Sequence, residues 1–300
     1  MTRSIGSRPD GSCGKHKCLG TRWVFLFQRA FLPTGAKGLS PHSNFSGRAR
    51  FRRWPRRSAK PEDGSPGGNP VGILSLEMSA EDLILRLVCS RTRVNFHKLR
   101  TGCATKEELE IVRDALPHVM NEKETPIYID DTSGLTIFEV RSRLRAMKHR
   151  YGIRLAVVDY LQLVALTREQ MFLGMAAGYA DVARGIQQAA KELEIPIIVL
   201  SQLSNEGRKR GRNEKSKLTD FRETGAIGDV ANFAGILWRP PLETEEEEKL
   251  RAAIGSDPMG EHTLAVQMEV LKNKNGPSGM GIQFNFQRWC MRFEDLQYPS

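Results

Sequence analysis

Three polar residues each close an apolar run: Glu77 after VGILSL, Asp159 after LAVV and Gln202 after IPIIVLS. A carboxylate that holds a magnesium ion, a second that polarises water and an amide that senses a phosphate are most of what phosphoryl transfer needs. Any one of them alone reads as an ordinary strand terminus in solvent. Asp159 is the pivot, because residues 155–158 run without alternation, as a strand buried on both faces does. In doubly wound α/β folds, ligands gather outside the carboxyl ends of the parallel strands. Right-handed crossovers would put all three ends on one side, where Asp159 could meet an Mg²⁺-bound nucleotide.

The elements that must position these groups come in order along the chain. VGILSLE, 71–77, reads as a strand, and Ser79 then caps a helix, with Asp82 three residues on and Leu83, Leu87 and Val88 along one face. Residues 105–116 form a second amphipathic helix, opened by Thr105 and stopped by Pro117. PIYIDD, 126–131, is a strand closing on two carboxylates. Thr136 with Glu139 opens a helix to about Tyr151 that carries Arg141, Arg143, Arg145, Lys148 and Arg150. After the Asp159 strand come a helix over 180–193 and a strand over 195–202. This alternation predicts an α/β fold, a parallel twisted sheet with helices on both faces.

Beyond Gln202 the pattern changes. The polar stretch 204–220 holds Arg208, Lys209, Arg210, Arg212, Lys215 and Lys217, suited to a phosphate backbone and equally to lying solvated. Residues 233–238 read as a strand, and ETEEEE at 243–248 opens a surface helix. Residues 263–271 pair with 281–286 across KNKNGPSG, 272–279, whose Asn-Gly signals an antiparallel hairpin presenting Lys272 and Lys274 outward.

The 40% hydrophobic and 27% charged content of the 300 residues fits a soluble globular protein. WVFLF near the start is far short of the roughly 20 residues a bilayer span needs, so no membrane contact is expected. Five scattered cysteines make no disulfide framework and indicate a reducing compartment. The net charge of +10 misleads: residues 1–60 hold 14 Lys and Arg against the single acid Asp10, and the other 240 hold 31 basic and 34 acidic residues. Residues 1–70, rich in Gly, Pro, Ser and Arg, are expected to be mostly disordered, with structure beginning at Val71. They read as a solvated tail, a basic arm on nucleic acid or an Arg- and Ser-rich organelle transit peptide. A cytoplasmic, nucleoid-associated protein is expected, with organelle import as the lesser alternative. Cys13, His16 and Cys18 lack a fourth ligand and match no zinc spacing.

VGILSLEMS at 71–79, LRTG at 99–102, VVDYLQL at 157–163, KELEIPIIVLSQL at 191–203, DFRETG at 220–225, KNKNGPSG at 272–279 and RFEDL at 292–296 resemble, in order, the carboxyl-terminal motor domain of replicative DNA helicases of the DnaB type. The resemblance covers 71–296 and leaves 297–300 as a tail. It implies a RecA-like core that hydrolyses ATP with Mg²⁺, assembled as a homo-hexamer around single-stranded DNA and working with other replication proteins. By position, Glu77 resembles the glutamate that activates the attacking water, Asp159 the acid that holds Mg²⁺ through water, and Gln202 the γ-phosphate sensor. Arg222, Glu223 and Gly225 fall in the motif of the DNA-contacting loop. Lys272 and Lys274 fall where the family places a basic hairpin reaching a neighbour's nucleotide.

The departures are as informative. The family places a strand, a loop of the type Arg-Pro-x-x-Gly-Lys-Thr and a helix before the VGILSLE strand. Here SRPDGSCGKHK at 7–17 is the trace: four residues separate Arg8-Pro9 from Gly14-Lys15, and His16 stands where Ser or Thr binds Mg²⁺. No apolar strand precedes it and no helix comes after to hold the amides in a cradle. Gly14 and Lys15 are the phosphate-contact candidates, and ATP hydrolysis is expected to be poor or absent. An abrupt loss of match at Pro70 is what a shifted reading frame or wrong start produces; translating the other two frames tests it. Lys274 stands where the family commonly has arginine, which offers a planar fork that lysine lacks. Residues 228–232, GDVAN, are less acidic than the family's usual stretch. With no amino-terminal helical collar to match, primase contact is not expected. A non-catalytic helicase remnant that binds DNA or a helicase ring is the alternative reading. A RecA-type recombinase paralogue is a further one, against which DFRETG and KNKNGPSG argue.

Overall fold

The computed structural model describes residues 69–121, 126–202, 228–238 and 263–295 in full, and residues 23–27 and 225–227 as backbone. Among the described residues nine strands form one sheet: β1 (Trp23–Phe27), β2 (Val71–Ser75), β3 (Ile127–Asp130), β4 (Leu155–Asp159), β5 (Ile197–Gln202), β6 (Phe233–Trp238), β7 (Thr263–Asn273), β8 (Gly281–Gln287) and β9 (Arg292–Asp295), in spatial order β3-β2-β4-β5-β1-β6-β7-β8-β9. β3, β2, β4 and β5 are mutually parallel, with Ile73 opposite Val157 and Ser75 opposite Asp159. From β6 to β9 the sheet is an antiparallel meander.

β1 joins the halves. Its WVFLF run lies within the segment expected to be mostly disordered, and it pairs antiparallel with both β5 and β6. Trp23 lies opposite Gln202 and Leu237, and Phe27 opposite Ile198 and Phe233, so β1 starts at the carboxyl edge of the parallel strands and runs away from it. A five-residue aromatic and β-branched run is a strand signal even in a Pro- and Gly-rich setting.

The helices are α1 (Ala80–Thr92), α2 (Phe96–Thr101), α3 (Lys106–Met120), α4 (Ile137–Tyr151), α5 (Arg168–Phe172), α6 (Met175–Glu192) and α7 (Gly225–Val230). Their starts are written locally. Ser79 accepts from the Asp82 amide, and Thr105–Glu108, Thr136–Glu139 and Thr167–Gln170 form reciprocal capping boxes. α3 runs past Pro117, because proline forfeits one hydrogen bond but holds a helical φ, and the last turn closes over it. α6 starts at Met175, five residues before the sequence pattern indicated, and α5 precedes it across Gly174.

Right-handed crossovers place α4 and α6 on one face of the parallel strands and α1–α3 on the other. Leu74, Ala156, Val158, Ile197, Val199, Ala234 and Ile236 bury one sheet face against Val140, Leu144, Met147, Val182, Ile186 and Ala190 of α4 and α6. The two helices meet closely at Gly185, where any Cβ would collide with Ile137. Among the described residues no helix is long and apolar enough to cross a membrane.

Candidate functional site

The carboxyl edge of the parallel strands gathers the candidate residues. Asp159 and Gln202 are the last residues of β4 and β5, and Glu77 stands exposed two residues past β2. The Leu76 amide donates to the Asp159 carbonyl at 2.7 Å, which ties the Glu77 turn to the end of β4. Burial pushes the Asp159 carboxyl up to about 6, the Glu77 charge adds to the rise, and Arg86 opposes it. Tyr160, joined to Asp159 by a cis peptide, has its phenol raised first by burial and then by Glu77, Asp159 and Tyr179, against a hydrogen bond with the Gln202 side chain. Ser75 lies opposite Asp159, the Leu76 amide ties the Glu77 turn to the end of β4, and β4 pairs with β5, so Glu77, Asp159 and Gln202 stand at one rim with Tyr160 among them.

Gln162 braces the same rim. Its Nε2 donates to Ser201 Oγ at 3.0 Å and to the Gln202 carbonyl at 3.2 Å, while its Oε1 accepts from the Gln202 amide at 3.2 Å. Tyr179 Oη donates to the Gln162 carbonyl at 3.0 Å. The end of β5 is therefore held by the turn leaving β4, and a shift at Asp159 has a short path to Gln202.

Unmet hydrogen-bonding capacity gathers here. Among the described residues the buried side-chain polar atoms without a partner are Asp159 Oδ1, Arg86 Nε and Trp238 Nε1. Trp238 ends β6, which points the same way as β5, and Arg86 lies near enough to act on Asp159, its guanidinium 5.2 Å from the centre of the Phe96 ring. Buried polar groups are normally satisfied, so these three are exceptions to the rule.

Other charged residues are spent on structure. Asp130 pairs with Arg143, and Asp131 Oδ2 accepts from the Ala80 amide at 2.9 Å, so the two carboxylates closing β3 anchor α4 and the start of α1. Lys272 does not face outward. Pairing with β6 carries β7 on to Asn273, past a bulge between Ala234 and Gly235, and Lys272 Nζ donates to the Gly228 and Asp229 carbonyls at 2.6 and 2.9 Å. Desolvation holds its ammonium below the usual lysine range, with Lys274 adding to the depression and Asp229 opposing it. Lys274 is exposed at the start of the turn. Gly225 opens α7, while Gly14, Lys15, Arg208, Arg210, Arg212, Arg222 and Glu223 lie outside the described residues, as do 204–220 and 243–248.

The residues that sequence reading passed over are Arg86, Tyr160 and Gln162. Tyr160 and Gln162 lie inside the quoted VVDYLQL, so attention to the residues just after a strand-terminal aspartate could have found them; Arg86 in mid-helix carries no such signal.

The family model of the DnaB-like helicase C-terminal domain matches residues 58–295, drawing residues 58–70 into the match. The chain is 31% identical over 227 residues to the replicative DNA helicase DnaC of Bacillus subtilis (strain 168), covering 76% of this chain and 46% of that protein. It is 33% identical over 227 residues to the replicative DNA helicase DnaB of Buchnera aphidicola subsp. Baizongia pistaciae (strain Bp), covering 75% and 45%. The chain spans about half the length of these curated relatives. Among solved structures it is similar to a DnaB-like replicative helicase described with its interactions with primase, with a TM-score of 0.62 at 23% identity over 76% of this chain and 51% of that one. It is similar also to a separately solved ATPase domain, with a TM-score of 0.60 at 23% identity over 76% and 75%. At that identity the two structures establish the fold, a RecA-like sheet with its helices. Over residues 58–295 the chain belongs to the DnaB-like helicase C-terminal domain family.

Proposed function

We propose that this chain is the motor domain of a replicative DNA helicase, built to turn ATP hydrolysis with Mg²⁺ into movement on single-stranded DNA within a homo-hexamer, and that its own turnover is impaired. The observation that carries the reading is the convergence of Glu77, Asp159 and Gln202 around Tyr160, with Asp159 Oδ1 buried and unpartnered.

The donor set fits a magnesium ion. Asp159 is a hard oxygen ligand whose raised proton affinity reflects burial beside Glu77, and a cation there would reverse that imbalance. No cluster of three acidic, His or Cys side chains occurs among the described residues, which suits an ion that takes most of its ligands from water and phosphate. When bound, magnesium supplies charge neutralisation on the phosphates. Asp159 would hold it through water, and Glu77 Oε would take the proton of the attacking water. Gln202, fixed by Gln162 through its backbone and by Tyr160 through its side chain, would report the phosphate state to the chain beyond β5. Lys274 would reach the neighbouring subunit's nucleotide.

Impairment is supported by the direction of β1. A phosphate cradle needs a strand that leads into a glycine-rich loop and a helix N-terminus at the rim. β1 starts at the rim and ends at the opposite edge, so it is not a strand that leads into a loop at the rim. The same observation favours the second reading, a non-catalytic remnant that binds DNA or a helicase ring. Two assays on the full chain separate them. Mg²⁺-dependent binding of a fluorescent ATP analogue, lost in Asp159→Ala, supports the motor reading; no binding supports the remnant. DNA-stimulated hydrolysis faster than about one turnover per second would remove the impairment.

A further inference from the structure

Arg86 is a half-buried cation whose Nε the fold leaves without a partner. It lies on α1, which opens at the rim three residues after Glu77, with its first amide held by Asp131 Oδ2 at 2.9 Å. At 1.5 Å per residue Arg86 stands roughly 9 Å along that helix, and side chains on helices lean back toward the helix start, here toward the rim. The guanidinium carbon is 5.2 Å from the centre of the Phe96 ring. Other arginines of similar exposure are provided for: Arg143 pairs with Asp130, Arg141 with Glu192, and Arg292 with Glu294 and the Ser90 carbonyl.

Asp159 is the natural partner for Arg86. The arginine's charge acts on that carboxyl, yet Arg86 Nε and Asp159 Oδ1 are both buried and neither bonds the other. A cation and an acid that feel each other and leave these atoms unmet suit a ligand carrying both signs. Magnesium on Asp159 brings phosphate oxygens with it, and a guanidinium gives such oxygens a fork of donors and a permanent charge.

We propose that Arg86 is a phosphate-binding residue, whose guanidinium takes oxygens of the terminal phosphates of a nucleotide whose magnesium Asp159 holds. The proposal rests on the motor reading above, and it assigns the rim a cation that the sheet and α1 hold in place. An arginine kept only for its packing on Phe96 would be replaceable by an apolar side chain of similar length.

Binding of a fluorescent ATP analogue to the full chain with Mg²⁺ tests this, with circular dichroism showing that each variant is folded. Arg86→Met keeps an apolar stem for Phe96 and loses the charge, and it is expected to bind about tenfold more weakly or worse. Arg86→Lys keeps the charge without the fork and is expected to recover part of that loss. Arg86→Gln takes the place of the methionine variant should that one not fold. Binding within about twofold of wild type in the uncharged variant, or no better in Arg86→Lys than in that variant, overturns the inference and leaves the motor reading standing. A wild-type chain that does not bind the analogue removes the motor reading, and the inference with it.

Discussion

Asp159 and Glu192 are both carboxylates at the ends of elements flanking one core, and they sit in opposite states. Glu192 closes α6 and accepts from Arg145 at 2.8 Å and from Arg141 at 3.2 Å, and these partners, Arg145 first, hold its carboxyl below the ordinary range. Asp159 closes β4, is pushed up by burial, and has one oxygen with no partner. A carboxylate whose partners are all supplied by the fold is a strut. One desolvated without a partner weakens the fold, and it makes sense where a ligand completes it. The difference lies in surroundings, since both are acids that close a helical or extended apolar run.

The largest expected effect removes the layer both acids depend on. Leu144 of α4 is fully buried between the sheet and α6. Leu144→Ala should cost about 3 kcal/mol of unfolding free energy, measured by urea denaturation, through lost burial and the cavity left behind. A loss below about 1 kcal/mol would mean that α4 is not packed as described.

Next in size is Asp159→Asn, which should stabilise the chain at pH 7.5. The folded carboxyl sits near 6, above its unfolded value, so the folded state binds more protons between about 4 and 6 and stability falls as pH rises through that window. Removing the charge should return on the order of 1–2 kcal/mol above pH 6, after discounting for solvent reaching the group, and nothing below about pH 4. Thermal melts of both proteins from pH 4 to 8 check it. A loss throughout would show that Asp159 is a satisfied structural acid like Glu192, and a gain that persists at pH 4 would show that it does not come from removing the charge.

The same contrast explains what could be read in advance. The parallel half was legible because its strands are near-continuous apolar runs and its helices open with Ser79, Thr105 and Thr136, so local pattern and fold agree. The rim residues came from strand order alone. The place of β1 was not legible, since the slot between β5 and β6 is created by distant strands, and WVFLF signals a strand without saying where it pairs or in which direction. Lys272 was misplaced for a related reason: the turn signal KNKNGPSG sets the β7–β8 hairpin, but pairing with β6 lengthens β7 beyond it. Asp130 and Asp131 look like Glu77 and Asp159 in sequence; only their partners, Arg143 and the Ala80 amide, show them to be struts.

Tyr160→Phe tests the rim more gently. It removes the hydrogen bond to the Gln202 side chain and leaves the ring, so stability should fall by about 0.5–1.5 kcal/mol. The Gln202 backbone should keep its place, because Gln162 holds it independently. Amide exchange at 200–202 is the measurement, and a protection loss as large as that of Gln162→Ala would put the tyrosine, not Gln162, in charge of the end of β5.

The smallest effect belongs to Glu192→Gln, and its direction matters more than its size. The pairs with Arg141 and Arg145 are solvent-facing, and such pairs contribute little because water and salt screen them. The sign with pH is nevertheless the reverse of that for Asp159. A carboxyl held below its unfolded value adds stability above that value and loses it as pH falls through the folded one, so the wild-type advantage over Glu192→Gln should be present at pH 7 and gone at the acid end. It should also shrink in about 1 M salt, where the Debye length is near 3 Å, while the gain from Asp159→Asn, which arises from burial, should change much less. Parallel pH curves for the two variants would erase the distinction between an acid that the fold completes and one that it leaves with an unpartnered oxygen.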